Sequence, residues 1–239
     1  GDDADYSAAG EEAEKGEAGK SGKGREKAQG EEKTGHSPDV RGHQGCTERP
    51  MALHPGCAAP GGKTTHLAQL MQNKGRIYAC DIHPHKMELI KENAVRLGID
   101  IIEPVLMDAS VFKPEWAGAA DCVLVDAPCS GFGVLRRRAE ARWRKNKKDL
   151  KVFPPLQKSI LQNAARYVKP GGRLVYSTCT LEQAENNLLV SEFLKANTEF
   201  EYAGFRHPLT GETNNELQLL PQRDNVDGFY ICVMRRKEL

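Results

Sequence analysis

Short apolar runs alternate with amphipathic segments from residue 51 onward. The runs predict strands over 51–56, 76–81, 102–106, 121–126, 173–177 and 228–234. Apolar residues at three- and four-residue spacing predict helices over 65–73, 84–97, 154–168 and a stretch that ends at 194. This alternation is typical of an α/β domain with a doubly wound, mostly parallel sheet, in which ligands bind at the carboxyl ends of the strands.

Each predicted helix has an apolar face that we expect to pack against the sheet. The inward residues are Leu67, Leu70 and Met71 in the first helix, Met87, Ile90, Ala94 and Leu97 in the second, Leu156, Ile160, Leu161, Ala164 and Ala165 in the third, and Leu189, Val190, Phe193 and Leu194 in the fourth. Pro154 is expected to open the third helix. Thr180 and Gln183 match a capping box for the fourth.

The first 50 residues differ in composition from the rest of the chain. They are rich in Gly, Glu, Lys, Ala and Asp and contain almost no large apolar residue, so they cannot bury enough surface to offset their ordering entropy. We predict a disordered, low-complexity tail over 1–50 and a folded domain over 51–239. The strand at 51–56 is weakly encoded, because Pro55 lacks a ladder donor and Gly56 has no side chain to pack.

Composition excludes several classes of protein. The net charge is +1, so the chain as a whole is not an obvious binder of polyanions. The seven cysteines include no CxxC pair and no Cys/His cluster with zinc-ligand spacing, which indicates free thiols, a reducing compartment and no metal site. No apolar run reaches about 18 residues, so we expect a cytoplasmic, monomeric protein with no membrane contact.

A glycine-rich loop at 57–64, with the sequence CAAPGGKT, follows the first predicted strand. Its glycines let a ligand approach the backbone, and the next helix offers free N–H groups at its start. Three acids, Asp81, Asp108 and Asp126, lie at or just after strand ends. Asp81 follows the loop by about 20 residues, the spacing at which an acid binds ribose hydroxyls in such folds. The loop and the acids predict a site for a nucleotide-like cofactor.

Two cysteines lie in polar turns that follow strands. Cys129 is in the sequence DAPCSG at 126–131 and Cys179 is in STCT at 177–180. A thiol near a helix N-terminus and basic side chains can have a lowered pKa and act as a nucleophile. The alternative is a small apolar residue of the core, which is the role that we expect for Cys80, Cys122 and Cys232.

A basic segment follows the Cys129 turn and contains few acids. A run of charge is more often a solvated face, but its place beside the site favours contacts with phosphates. The residues expected to make these contacts are Arg136, Arg137, Arg138, Arg142, Trp143 and Arg144. Trp143 has two alternative roles, which are to stack on a base or to anchor the segment to the core.

These motifs are similar to those of a known family. CAAPGGKT (57–64), DAPCSG (126–131), STCT (177–180) and DGFY (227–230) resemble the Sun-type RNA (cytosine-5-)methyltransferases, and most of all the bacterial branch that methylates 16S ribosomal RNA. The resemblance implies a Rossmann-like catalytic domain over 51–239 and S-adenosylmethionine as the methyl donor. It also implies a cytosine in RNA, here ribosomal RNA, as the methyl acceptor.

The resemblance implies a role for each candidate residue. The cysteine of the Thr-Cys motif, here Cys179, would attack the base, and that of the Pro-Cys motif, here Cys129, would help to release the product. Asp126 would lie by the methionine end of the cofactor and by the target base. Asp81 would bind the ribose hydroxyls and Asp108 would lie by the adenine. Lys63 is expected to be both a catalytic residue and part of the loop that wraps the cofactor. That loop comprises Cys57, Ala58, Ala59, Pro60, Gly61, Gly62 and Lys63.

The sequence departs from the family before the glycine loop. Pro55 stands where the family has an acid, and the family's upstream cofactor-covering motif and RNA-binding extension are not visible in 1–50. We therefore expect a truncated N-terminus and a damaged first strand. Two alternatives stay open. A DNA cytosine-5 methyltransferase would use the Pro-Cys thiol without needing Cys179, and an inactive remnant would only bind RNA through 136–151.

Overall fold

The computed structural model describes residues 51–54, 58, 60–137, 143, 149–207 and 210–238. The predicted tail over 1–50 lies outside these residues. A mixed eight-stranded sheet forms the centre of the described part. In that part, no helix is long and apolar enough to cross a membrane.

The strands along the chain begin with a parallel set. Its members are β1 (Met51–His54), β2 (Arg76–Asp81), β3 (Ile102–Leu106), β4 (Ala120–Asp126) and β5 (Val168–Thr178). The later strands are β6 (Phe200–Tyr202), β7 (Phe205–Arg206), β8 (Thr213–Asn214), β9 (Glu216–Leu219) and β10 (Phe229–Arg236). The sheet order is β3-β2-β1-β4-β5-β10-β6, with β9 paired to β10, while β7 and β8 form a separate pair. Among the described strands of the large sheet, antiparallel pairing is confined to β10 and its partners, so the predicted mostly parallel sheet is confirmed.

Helices cover both faces of this sheet. They are α1 (Gly62–Leu70), α2 (Pro84–Arg96), α3 (Asp149–Tyr167), α4 (Asn187–Ala196) and α5 (Pro221–Asp224), with 3-10 turns at Pro114–Trp116, Phe132–Val134 and Gln183–Glu185. Successive residues of β2 show the two layers, since strand side chains alternate between faces. Ala79 packs with Met87 and Ile90 of α2, whereas Cys80 belongs to the larger core with Leu161 of α3. The predicted doubly wound arrangement is confirmed.

β1 forms, so the expectation of a damaged first strand is wrong. It pairs in parallel with β2 along all four residues and with β4 through Ala52 and Leu53. The Met51 backbone N–H donates to Asp121 Oδ2 at 2.8 Å, and Leu53 is buried. Residues 51–56 have a low intrinsic propensity for a strand, but pairing with two flanking strands and burial of Leu53 stabilise β1. Pro55 and Gly56 lie outside the described residues.

Several details of the helix predictions are wrong. α1 begins at Gly62, three residues earlier than expected. Its buried residues are Thr64, Thr65 and Ala68, whereas Leu70 is 56 % exposed. Met71 and Leu67 are only half-buried. Leu97 follows the end of α2 and is exposed.

The third and fourth helices also start elsewhere than predicted. α3 begins at Asp149 and contains Pro154 in its interior. A proline has no N–H to bond the carbonyl one turn earlier, but the helix tolerates this because those carbonyls lie on a partly solvated turn. Leu156 is 38 % exposed rather than inward. The capping box does not form, because Thr180 is buried and its Oγ1 bonds Ser130 Oγ and the Glu182 N–H, while α4 begins at Asn187. β5 begins at Val168, before the strand predicted over 173–177, and its register on β4 shifts between Ala120 and Cys122.

Candidate active site

The candidate site lies where β4 and β5 end side by side. Asp126 is the last residue of β4 and pairs in parallel register with Ser177 of β5. Both segments then turn at the same edge of the sheet, so Cys129 and Cys179 approach each other. Their Sγ atoms are 3.3 Å apart. The structure thus brings together the two thiols that the sequence singled out.

These two thiols differ in how readily they ionise. The hydrogen bond with Cys129 lowers the pKa of Cys179 to about 7, and the charge of Lys63 acts in the same direction, while burial and Asp126 oppose it. The same contact with Cys179, together with burial, raises the pKa of Cys129 far above its usual range. Cys179 is therefore the more readily ionised thiol of the pair.

Asp126 is held at both of its carboxylate oxygens. Lys63 Nζ donates to Oδ2 at 2.7 Å and Ser177 Oγ donates to Oδ1 at 2.9 Å. Lys63 reaches this point from the first turn of α1, and its Nζ lies 5.7 Å from the centroid of the Phe229 ring. An ammonium, a carboxylate and an aromatic ring therefore lie close to the thiolate. This set can bind a polar ring system next to a nucleophile.

The residues predicted for the cofactor loop lead into α1. Gly61 has φ +104°, a conformation that favours glycine, and α1 begins at the next residue without a side-chain cap. The Pro60 carbonyl accepts Asn93 Nδ2 at 2.8 Å, and the Ala58 N–H donates to the Cys80 carbonyl at 3.3 Å. Gly62 and Lys63 form the first turn of α1. Cys57 and Ala59 lie outside the described residues.

The two acids predicted for the cofactor occupy the ends of β2 and β3. Asp81 is buried, its Oδ1 accepts the His83 N–H at 3.2 Å, and its Oδ2 lies 3.3 Å from Lys86 Nζ. Asp108 follows β3 and is exposed, and its Oδ1 accepts the N–H and the hydroxyl of Ser110 at 2.8 and 2.7 Å. Both carboxylates therefore lie on the same sheet edge as Asp126, as parallel strands require.

The predicted RNA-contacting segment is described only in part. Arg136 Nε and Arg137 Nε each lie 2.6 Å from a carboxylate oxygen of Asp227, which offsets charge that the sequence suggested was unopposed. The Trp143 side chain is 89 % exposed, so its alternative role as an anchor to the core is wrong. Arg138, Arg142 and Arg144 lie outside the described residues.

Three polar residues next to the site were not predicted, namely Ser177, Gln157 and Glu185. Gln157 is fully buried on α3, three and four residues before Ile160 and Leu161. A polar residue at an inward position of an amphipathic helix was a signal that could have revealed it. Glu185 is equally buried, but it follows no periodic pattern and only the structure reveals it.

The remaining described cysteines serve packing. Burial raises the pKa of Cys80 and of Cys232 to about 12 in each case, and both residues lie in the core. Cys122 is half-buried in β4. Among the described residues, no group of three or more His, Cys, Asp and Glu side chains could hold a metal ion.

Comparison with known sequences relates this site to a family. The family model for 16S rRNA methyltransferase RsmB/F matches residues 52–235. A probable ribosomal RNA small subunit methyltransferase B of Bacillus subtilis (strain 168) is 44% identical over 191 residues, which are 76% of this chain and 42% of that protein. A tRNA (cytosine(72)-C(5))-methyltransferase of Pyrococcus horikoshii is 36% identical over 180 residues, which are 75% of this chain and 45% of that protein.

Solved structures agree with this relation. NSun6 from Pyrococcus horikoshii with SFG superposes with a TM-score of 0.67 at 31% identity, over 80% of this chain and 49% of that one. A methyltransferase homologue from the same organism gives a TM-score of 0.63 at 30% identity, over 79% of this chain and 62% of that one. The chain spans less than half the length of these curated relatives. Because the family model covers the glycine loop and both cysteine turns, the chain belongs to the 16S rRNA methyltransferase RsmB/F family.

Proposed function

We propose that the chain transfers a methyl group from S-adenosylmethionine to carbon 5 of a cytosine in RNA, through a covalent bond between Cys179 and the base. The observation that carries this proposal is the 3.3 Å approach of Cys129 Sγ to Cys179 Sγ. One thiol suffices for attack, so a second thiol within reach argues that attack and release use separate groups. The pair of thiols favours an RNA methyltransferase over a DNA cytosine-5 methyltransferase, because the DNA enzyme would not need the second thiol.

The proposed attack begins at the Cys179 thiolate, and its lowered pKa supports that role. Addition of the thiolate to carbon 6 of cytosine makes carbon 5 enamine-like and nucleophilic. Lys63 and Asp126 would hydrogen-bond the polar edge of the base and stabilise the adduct. After methylation, the proton on carbon 5 must leave so that the bond between carbon 6 and sulfur can break. We assign this release to Cys129, which faces Cys179. Once Cys179 is bonded to carbon 6, the contact that raises the pKa of Cys129 is gone, so Cys129 would give up its proton to solvent. Its thiolate would then take the proton from carbon 5, and the electron pair of that C–H bond would form the double bond between carbons 5 and 6 and expel Cys179 as a thiolate.

The residues at the start of α1 and at the ends of β2 and β3 fit S-adenosylmethionine. The Asp81 carboxylate would accept the ribose hydroxyls, and Asp108 would lie by the adenine. The start of α1, which has no side-chain cap, offers N–H donors for an anionic group. When bound, S-adenosylmethionine supplies an electrophilic methyl group.

The proposed substrate is small-subunit ribosomal RNA, and the reaction is placed in the cytoplasm. The matching family model and the Bacillus subtilis relative support this choice. The archaeal relative acts on tRNA, which makes tRNA the second candidate. In either RNA, the target cytosine must leave its stack to reach Cys179. The exposed Trp143 ring would stack on a nearby base.

Two measurements test this function. Calorimetric titration with S-adenosylmethionine tests binding of the donor, and a labelled methyl group followed into unmodified small-subunit ribosomal RNA or tRNA tests transfer. We expect binding and incorporation at one cytosine, mapped by bisulfite sequencing. Donor binding without incorporation into either RNA would contradict the proposed substrates. If neither donor binding nor incorporation occurs, the inactive RNA-binding remnant is the better interpretation.

A further inference from the structure

Two buried polar side chains lie beneath the Cys129 turn. Glu185 and Gln157 are both 0 % exposed. Glu185 Oε2 accepts the Ser130 backbone N–H at 2.9 Å and Gln157 Nε2 at 2.8 Å. Gln157 Nε2 also donates to the Pro128 carbonyl oxygen at 2.8 Å. The Pro128 carbonyl and the Ser130 N–H belong to the peptide groups on either side of Cys129, so the pair holds the backbone of this residue at both ends.

Packing alone does not account for a glutamate at this place. Glu185 Oε1 and Gln157 Oε1 are buried and accept no hydrogen bond from the described residues. A buried carboxylate that is incompletely hydrogen-bonded is less favourable than an apolar side chain of similar volume. The Ser130 N–H does account for it, since this buried donor needs an acceptor.

Glu185 is also tied to the strand that ends near Cys179. The Tyr176 hydroxyl, in β5, donates to the Glu185 carbonyl oxygen at 2.8 Å. Tyr176 and Glu185 are thereby fixed to each other, while the Glu185 carboxylate holds the turn of Cys129. Glu185 therefore links the turn that carries Cys129 to the strand that leads to Cys179, and so helps to set the distance between the two thiols.

We propose that Glu185 is a positioning residue that sets the place of the Cys129 sulfur relative to Cys179 and so governs release of the product rather than attack. This inference rests on the proposed function. Without the carboxylate, the Ser130 N–H loses its acceptor, and Gln157 loses the partner that orients its amide toward the Pro128 carbonyl. Cys179, which directly follows β5, keeps its place. Attack continues, and release slows by about ten- to hundredfold, as expected when a reacting group moves by about 1 Å. The covalent complex between protein and RNA then accumulates.

The test measures formation and decay of that complex on denaturing gels, with S-adenosylmethionine and unmodified small-subunit ribosomal RNA. Glu185→Leu removes the acceptor at similar volume, so we expect decay slowed about ten- to hundredfold and formation within about threefold of wild type. Glu185→Gln keeps an acceptor for the Ser130 N–H, and we expect it to restore decay to within about threefold of wild type. Wild-type decay in Glu185→Leu, or slow decay in Glu185→Gln, would overturn the inference.

Two more variants guard against a general effect of destabilisation. Gln157→Leu removes the donor to the Pro128 carbonyl, so we expect it to slow decay of the complex as well. Unchanged decay would contradict the idea that Gln157 and Glu185 together hold the backbone of Cys129. Asn163→Leu is the matched control. The Asn163 amide is on the same helix as Gln157, but it donates to the Ala109 and Ser110 carbonyls, at 3.3 and 2.7 Å, and not to the turn of Cys129. We expect no accumulation of complex in Asn163→Leu, and accumulation there would overturn the inference. All rates are taken per folded protein from near-ultraviolet circular dichroism, so a weakly folded variant still yields a decay rate.

Cys129→Ala separates this inference from the proposed function. If Cys129→Ala accumulates the complex and the folded Glu185→Leu variant does not, only the positioning role of Glu185 fails. If Cys129→Ala accumulates none, the assignment of release to Cys129 fails, and the role of Glu185 fails with it.

Discussion

Gly133 lies where the turn after Cys129 meets the start of β10 and the turn of Cys179. A Cβ at this position would lie 2.2 Å from the Gly228 carbonyl oxygen and 2.8 Å from the Cys179 carbonyl oxygen. Both are backbone atoms, so no side-chain rotation can relieve the contact. Gly133→Ala must therefore move the backbone that carries the candidate nucleophile.

The size of this movement follows from the distances. Ordinary contact begins at 3.4 Å, so the gap to the Gly228 oxygen must widen by about 1.2 Å. That movement strains the bonds from the Gly228 N–H to the Gly133 oxygen, at 2.8 Å, and from the Gly133 N–H to the Cys179 oxygen, at 3.0 Å. Two weakened hydrogen bonds and overpacking together are expected to lower the free energy of unfolding by about 3 kcal/mol. The gap to the Cys179 oxygen must widen by about 0.6 Å, and a displacement of Cys179 of this size is expected to slow attack about tenfold.

Urea denaturation and the rate of covalent complex formation measure these two effects. Gly98→Ala is the control, since Gly98 has φ +64° but a Cβ there would meet nothing within 4 Å. It should lose about 1 kcal/mol from the left-handed backbone and keep its rate of attack. If Gly133→Ala behaves like Gly98→Ala in both measurements, the backbone contact does not position Cys179, and the reasoning is refuted.

Three further outcomes are expected. Cys179→Ser should abolish the covalent complex and Cys129→Ala should accumulate it, as read on denaturing gels with labelled RNA, and the reverse behaviour would exchange the two roles. Because the pKa of Cys179 is lowered to about 7, its thiolate is lost as the pH falls through that value. The rate of complex formation, measured by quench flow, should therefore rise about tenfold per pH unit below that point and level off above it, and a flat profile would contradict this. Lys63→Met removes a charge that helps to lower the pKa of Cys179, so the profile should shift to higher pH. Its free energy of unfolding should fall by only about 0–1 kcal/mol, since the Lys63 side chain is 47% exposed, and an unshifted profile would show that the charge does not act on the thiol.

The sheet was more predictable from the sequence than the helix faces. β2 and β3 have their predicted bounds. The apolar run of β2 marks a buried parallel strand, whereas β3 lies at the edge of the sheet and is only partly buried. β1 was underestimated, since its stability comes from pairing with β2 and β4 and not from its own residues. In α1, the buried face carries Thr64, Thr65 and Ala68 while Leu70 is exposed, so the spacing of the large apolar residues pointed to the wrong face of this helix.

The site was predictable where it follows from strand order. Asp126 ends β4, and Cys129 and Cys179 follow β4 and the adjacent parallel strand β5, so the topology alone brings them to one edge of the sheet. The contact between the two sulfurs depends on turn geometry, which no pattern in the sequence encodes. Glu185 was missed for a related reason, because its carboxylate bonds the Ser130 N–H and the Gln157 amide, which lie far from it along the chain and at no recognisable spacing.

The approach of the two sulfurs also reports on how the chain folds. Cys129 and Cys179 are 50 positions apart, with α3 and β5 between them. Their sulfurs meet only when β5 has docked on β4, a long-range parallel pairing whose loop must close before its bonds form. Before that step the chain carries two separate thiols. Docking of β5 can therefore be followed during refolding by the rate at which a mild oxidant such as diamide joins Cys129 to Cys179. This measurement needs neither RNA nor any cofactor.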